Sequence, residues 1–320
     1  MHIGQRWGCV CGIIALVLVG AMPAGAATGF ADSAFRTQWQ AGETITPNFW
    51  GPLKNATGGT QEPYLEASLG FSESGPTNPG QGMRLVQYFD KGRMEINAPA
   101  SGKVTNGLLA TEIVTGQIQV GNSKFQAKAP PTIPLAGDPD NAGPTYADLS
   151  GKAAMLLVPT TAKIGTFITT MVAADGTISD GGGFAGISLS PKIAVFDDAT
   201  KHNVLEQFAT YRTKVSLGAI GYARSEPFRV TVKVAGKQQS VIAQVFERRV
   251  LTYTSGNPAA FQVEFGNIGQ HYYQWRYNGT MPTPAVVGAA MTTVTATPTT
   301  VDNAAVVVAQ LLPLRACRWL

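Results

Sequence analysis

The chain has 320 residues, a formal net charge of +4 and only 14% charged residues, with no run of more than two basic side chains. That excludes the clustered lysine and arginine footprint of a nucleic-acid binder. Its 36 glycines and 20 prolines favour many turns and short strands over long helices, and its length suffices for one large core or two modest ones.

Residues 1–26 read as a signal peptide. Arg6 supplies the basic start, residues 12–21 an apolar stretch, and Ala24-Gly25-Ala26 a small-residue cleavage site. The apolar stretch is too short, and too closely followed by Pro23, for a comfortable membrane span. Cys9 and Cys11 precede it, which argues against a lipoprotein acylation site. Cleavage leaves Cys317 as the lone cysteine, so the expected product is secreted or cell-surface, without an internal disulfide or a membrane span. Loss of Arg6 lowers the formal charge to +3.

Residues 27–135 are expected to form a first β-rich unit. Phe35 and Trp39, spaced i, i+4, predict a short opening helix over 30–40 with two core anchors. Strands follow from Glu62 to about residue 125, interrupted by a Gly/Pro/Ser-rich surface loop at 69–82, until Pro130-Pro131 and Pro134 break the pattern. Residues 136–199 form a middle connecting segment. Asp138, Asp140, Asn141 and Gly143 faintly match a calcium loop, but Ala142 occupies a ligand position and the distal Glu is missing, which favours a Pro/Asx turn. Residues 166–179 predict a hairpin turning at Asp175-Gly176. Gly181-Gly182-Gly183 lacks the Lys-Ser/Thr of a phosphate loop and reads as a turn.

Residues 200–277 are expected to be a helix plus a second β-rich unit. The helix spans 200–214, with Thr200 as cap and Val204, Leu205, Phe208 and Tyr211 as its apolar face. Phe228, Val230, Val232 and Val234 then alternate with Arg229, Thr231 and Lys233, the period of a half-buried strand; Phe261, Val263 and Phe265 alternate likewise. From residue 278 to 320 a Thr/Pro/Ala-rich linker leads to a short tail. Its last residues, from Arg315 on, fit no element, and a truncated or frame-shifted gene end is the expectation that sequencing the locus would decide.

The two β-rich units look alike. Glu62-Pro63-Tyr64 precedes Gln87-x-Phe89-Asp90-Lys91, and Glu226-Pro227-Phe228 precedes Gln244-x-Phe246-Glu247-Arg248. This similarity predicts an internal duplication whose first copy carries an insertion at the 69–82 loop.

Chemical motifs are sparse. The mature chain keeps His202 and His271, no G-x-S-x-G elbow is present, and the lack of a His/Cys cluster predicts neither metal nor cofactor. Carboxylates that invite comparison with a hydrolase pair are Asp90 with Glu95, Asp197 with Asp198, and Glu247 with Glu264. In HYYQWRY, strand alternation would put His271, Tyr273, Trp275 and Tyr277 on one face. That face is either the closing side of a core or an aromatic platform for sugar rings, with Arg276 on hydroxyls.

The stretches QYFDKGRMEI, QVFERRVLTY and VEFGNIGQHYYQWRY resemble a family of exported, mostly uncharacterised proteins of filamentous phototrophic bacteria, over residues 30–277. More distantly, Gly221, Ser225, Glu226, Gln244, Phe246, Glu247 and Arg248 are similar to LGFP repeats, which implies attachment to envelope polysaccharide. The chain departs from that pattern at Ala223 and Arg249, while the first copy keeps the usual glycine as Gly92. The expected fold is a β-rich α+β protein: two related small antiparallel β units, each preceded by a short helix and joined by a hairpin-containing segment. The expected role is a non-catalytic envelope module binding wall or surface polysaccharide. The alternatives are a secreted carboxylate-dependent hydrolase and a structural surface protein.

Overall fold

The computed structural model describes residues 29–67, 82–98, 101–180 and 191–281. The signal segment, nearly all of the 69–82 loop, Gly181-Gly182-Gly183 and the tail beyond 281 lie outside the described residues.

Asp32 opens helix α1 (Ser33–Ile45), its carboxylate accepting from Ala34 N at 2.7 Å, and Phe35 is fully buried. The helix continues past the predicted end at Gln40. Four antiparallel strands follow in spatial order: β1 (Thr60–Pro63), β2 (Met83–Phe89), β3 (Gly92–Ile96) and β4 (Thr105–Asn106). The next segment is a helix and not a strand. In α2 (Leu109–Thr115) Leu109, Ala110, Ile113 and Val114 bury a helical stripe, and Gly116 ends it with φ 66°.

A small hairpin, β5 (Gln117–Gln119) with β6 (Phe125–Ala127), precedes α3 (Tyr146–Ser150), which begins with a Thr145/Asp148 capping box. The predicted hairpin is present as β7 (Thr170–Val172) and β8 (Ile178–Asp180), with Gly176 at φ 82°. Residues 200–205 are not helical. Here β9 (Ile193–Asp197) pairs with β10 (His202–Leu205), and Val204 and Leu205 fill a strand face before α4 (Glu206–Val215) and α5 (Leu217–Ile220) begin. Strands β11 (Phe228–Val234), β12 (Lys237–Val245), β13 (Val250–Tyr253) and β14 (Val263–Phe265) complete a sheet ordered β14-β13-β12-β11-β7-β8, and α6 (Ile268–Tyr277) follows. Phe261 stands outside that strand, in a 3-10 turn, 53% exposed. The fold is β-rich α+β.

The acidic loop at 138–143 has a structural task. Asp138 accepts from Ala235 N and Gly236 N at 3.0 and 2.8 Å, Asn141 Oδ1 accepts from Lys233 N, and Asp140 pairs with the Lys233 ammonium. Together they clamp the β11–β12 turn. Among the described residues no group of His, Cys, Asp or Glu is placed to hold a metal ion.

The two Gln-x-Phe strands are held in matching ways. Gln87 Nε2 donates to the Gly29 and Thr57 carbonyls, and its Oε1 accepts from Ala31 N. Gln244 Nε2 donates to the Asn203 and Ser225 carbonyls, and its Oε1 accepts from Leu205 N. Thr57 and Ser225 hydroxyls accept from the next strand amides, Tyr88 N and Val245 N. Phe89 and Phe246 are both buried in one apolar cluster, which also takes Phe35 and Phe208.

This register shifts the expected equivalence. Glu62 pairs across the strands with Arg84, three residues before Gln87, whereas the residue three before Gln244 is Val241, paired with Val230. Glu62 therefore corresponds to Val230. Glu226 lies ahead of its strand, so the repeated Glu-Pro dipeptide is not structurally equivalent.

The turns at Asp90-Lys91 and Glu247-Arg248 each receive helix amides. The carbonyl of Asp90 accepts from Gly269 N and Gln270 N at the start of α6, and the carbonyl of Glu247 accepts from Thr111 N in the first turn of α2. Each unit's trailing helix thus docks its N-terminus on the other unit's turn, where the helix amides lack partners of their own. The apolar clusters are shared likewise: one joins Val86 and Tyr88 to Val230, the other Phe89 to Phe246.

Candidate functional site

Helix α6 carries the side chains expected to form an aromatic platform, and it disperses them. The strand predicted over 271–277 fails because Gly266 and Asn267 end β14, after which Ile268, Tyr272 and Trp275 bury at helical spacing. Trp275 is buried and donates its Nε1–H to the Ala129 carbonyl at 2.7 Å. Tyr273 packs edge-on against Tyr88, with ring centroids 5.1 Å apart. Arg276 reaches Glu62 at 3.4 Å and donates to the Tyr272 hydroxyl at 3.2 Å. Tyr277 keeps 39% of its surface exposed and donates to Glu62 at 2.6 Å. His271 Nδ1 shares a hydrogen bond with the Tyr146 hydroxyl at 3.0 Å. These are internal contacts, so no platform for sugar rings forms.

Burial, reinforced by the charge of Lys91, holds the His271 pKa down to about 4. An unfolded histidine takes up its proton near pH 6.5, so the unfolded state gains protons first as pH falls. Stability is therefore expected to drop between pH 6.5 and 4, by about 3 kcal/mol from this group. Urea titrations at pH 7 and 4.5 test it. The drop should be smaller by most of that amount in His271→Gln; an identical drop would contradict it.

Arg276 and Tyr277 belong to a buried ionic cluster that the sequence reading missed. Arg93 pairs with Glu95 at 2.5 Å, Glu62 at 3.2 Å and Glu112 at 3.3 Å, while Arg84 pairs with Glu95 at 3.1 Å and Glu62 at 3.4 Å. The Tyr88 hydroxyl donates to Glu62, and the Tyr272 hydroxyl to Glu112. Burial pushes the Glu62 carboxyl up, but Arg93, Arg276 and Arg84 outweigh it and bring its pKa down to about 2. Glu62 is a fixed counter-ion. The alternating charges Arg84, Arg93 and Glu95 on β2 and β3 were its only sequence signal, and they resemble an ordinary solvated face.

An open groove of about 490 Å³ lies elsewhere, between the end of α1, one side of α4 and the β13–β14 connection. Tyr211, Tyr253 and Phe261 give it aromatic surface, and Gln207, Gln262 and Thr210 give it polar groups. Tyr211 is steadied by edge-on packing against Phe265, centroids 5.5 Å apart. Gln262 Nε2 is tied to the Ser255 and Asn257 carbonyls. Gln207 Oε1 is buried and has no hydrogen-bond partner among the described residues. No protein-family model, curated protein or solved structure matches the chain. Function is therefore read from the geometry of the site.

The carboxylate pairs considered for hydrolysis do not converge on a cleft. Asp90 accepts from Gln270 and Asn55, Glu95 lies in the ionic cluster, and Asp197 is held by both terminal nitrogens of Arg212. Glu247 pairs with Arg248 at 2.9 Å. A second cleft of about 390 Å³ is bordered by Asp180 and Glu226. Burial pushes Glu226 up, but hydrogen bonds from His202 and Asn203 carry it below its ordinary value. No described helix is long and apolar enough to cross a membrane.

Proposed function

We propose that this chain is an exported, envelope-associated binding module that holds a wall or surface polysaccharide in the groove beside α4. The observation that carries the reading is the groove's lining: the rings of Tyr211, Tyr253 and Phe261 next to the side-chain amides of Gln207 and Gln262. Sugars present apolar ring faces rimmed by hydroxyls, and such a wall satisfies both. The leader-like residues 1–26 and the resemblance to exported proteins support an envelope setting. The matching bonds of Gln87 and Gln244, and the reciprocal docking of α2 and α6, support descent of the two halves from one duplicated unit.

Catalysis is the less favoured reading. A glycosidic general acid needs a carboxyl held protonated above its ordinary range. Among the described residues the displaced carboxyls, Glu62, Asp140, Asp175 and Glu226, all move down. Among the described residues Glu206 is the sole carboxylate bordering the groove.

A glycan array and retention on insoluble cell-wall polysaccharide test the proposal. Binding is expected, with a loss of about tenfold or more in Tyr253→Ala and in Phe261→Ala, since one stacked ring contributes about 1–3 kcal/mol by analogy with aromatic stacking on bases. Retention of no glycan, or unchanged affinity in both variants, would overturn it.

A further inference from the structure

The aromatic groove does not end at α4. A hollow of about 480 Å³ adjoins it, and Ile45, Lys214 and Val215 line both. The character of the wall changes along this path. The hollow is bordered by Lys103, Lys214 and Arg248, and none of its lining residues is acidic. Glu247 pairs with one terminal nitrogen of Arg248 at 2.9 Å. Lys103 and Lys214 have exposed side chains and no carboxylate partner among the described ion pairs.

The local donors are fixed in place: Arg248 follows Glu247, whose backbone carbonyl receives the α2 amide, and Asn106 Nδ2 donates to the Gly218 carbonyl at 2.9 Å. Three cationic side chains bordering one hollow match an anionic oxygen cluster.

We infer that the bound polysaccharide is acidic, with one sugar ring against Tyr253 and Phe261 and the carboxylate or phosphate of a neighbouring unit in the Lys103–Lys214–Arg248 hollow. This rests on the groove being a glycan site. It adds a charge requirement that the aromatic end alone does not impose. Binding should weaken with salt, because the lysines are exposed and screened.

The test compares oligogalacturonides of one length in free-acid and fully methyl-esterified form, with a phosphorylated oligomannoside and its dephosphorylated form as a second pair, by calorimetry on the full chain. In at least one pair the acidic member should bind about tenfold or more tighter than its neutral partner. The double variant Lys103→Gln/Lys214→Gln should erase that preference, bringing the acidic member's affinity down to that of its neutral partner. Lys237→Gln, at the β11–β12 turn, serves as the charge control and should retain the preference. The pair that shows the preference distinguishes carboxylate from phosphate. Equal binding of acidic and neutral members, lost in Tyr253→Ala, would overturn the charge assignment and leave the glycan groove standing. Binding of none of the four would remove both.

Discussion

Replacing Glu62 by glutamine is expected to lower the free energy of unfolding by about 3–5 kcal/mol, the range for stranding a buried charge. Glu62 faces Arg84, Arg93 and Arg276 at 3.2–3.4 Å and accepts from the Tyr88 and Tyr277 hydroxyls. With the carboxylate gone, Arg84 and Arg93 are left with Glu95 and Glu112, and Arg276 loses its ion pair. The loss should not reflect a need for charge in this fold. At corresponding positions the second sheet carries Val230 and Val241, both buried, as a cross-strand pair. The double variant Glu62→Val/Arg84→Val removes one charge of each sign and installs that pair. It is expected to recover at least half of the single-variant loss, since well-packed apolar residues often equal a buried ion pair. Urea unfolding of the three proteins decides: a cost below about 1 kcal/mol for Glu62→Gln would sink the claim. The sign with pH is also fixed. Glu62 titrates at about 2 in the folded chain against 4.5 ordinarily, so its contribution is complete above pH 4.5 and disappears as pH falls toward 2.

Gly269→Ala is expected to cost about 3 kcal/mol or more, seen as a fall in Tm of about 6–12 °C. A Cβ at this position would stand 1.9 Å from the Phe89 carbonyl oxygen and 2.8 Å from Gly92 N. Both obstacles are backbone in the β2–β3 hairpin, so neither can swing aside. Relief requires α6 to retreat, which breaks the bonds from Gly269 N and Gln270 N to the Asp90 carbonyl. Gly256→Ala is the control, because no atom lies within 4 Å of its added Cβ. Equal melting of the two variants would refute the close docking of α6 on the hairpin.

Gly92 shows a related constraint. An added Cβ there would meet the Arg249 guanidinium at 2.5 Å. That group is buried over Trp50 and Phe265, at 4.6 and 4.9 Å from their ring centres. The glycine in one hairpin and the arginine in the other are one packing solution, although they read as unrelated departures from a repeat pattern.

How much was legible depended on how far each residue's partner lies along the chain. The strand over Phe228–Val234, the Asp175-Gly176 turn and the start of α1 follow from local periods and turn chemistry, and the sequence reading found them. Residues 202–205 misled because Val204 and Leu205 suit a helix face and a strand equally, and pairing with Ile193 and Val195 chose the strand. Residues 271–277 misled because alternating aromatics imitate a strand. The Ile268, Tyr272, Trp275 spacing pointed the other way, and helix amides meeting the Asp90 carbonyl far back in the chain decided it.

By itself the sequence determined the β-rich class and the paired Gln-x-Phe strands. The tertiary structure alone decided the rest. It turned Glu62, Arg84 and Arg93 inward, exchanged α2 and α6 between the two hairpins, and assembled the groove from residues near 45, 210 and 260. Backbone geometry sets period within a few residues, whereas burial of a charge and the walls of a cleft depend on what distant segments bring against them.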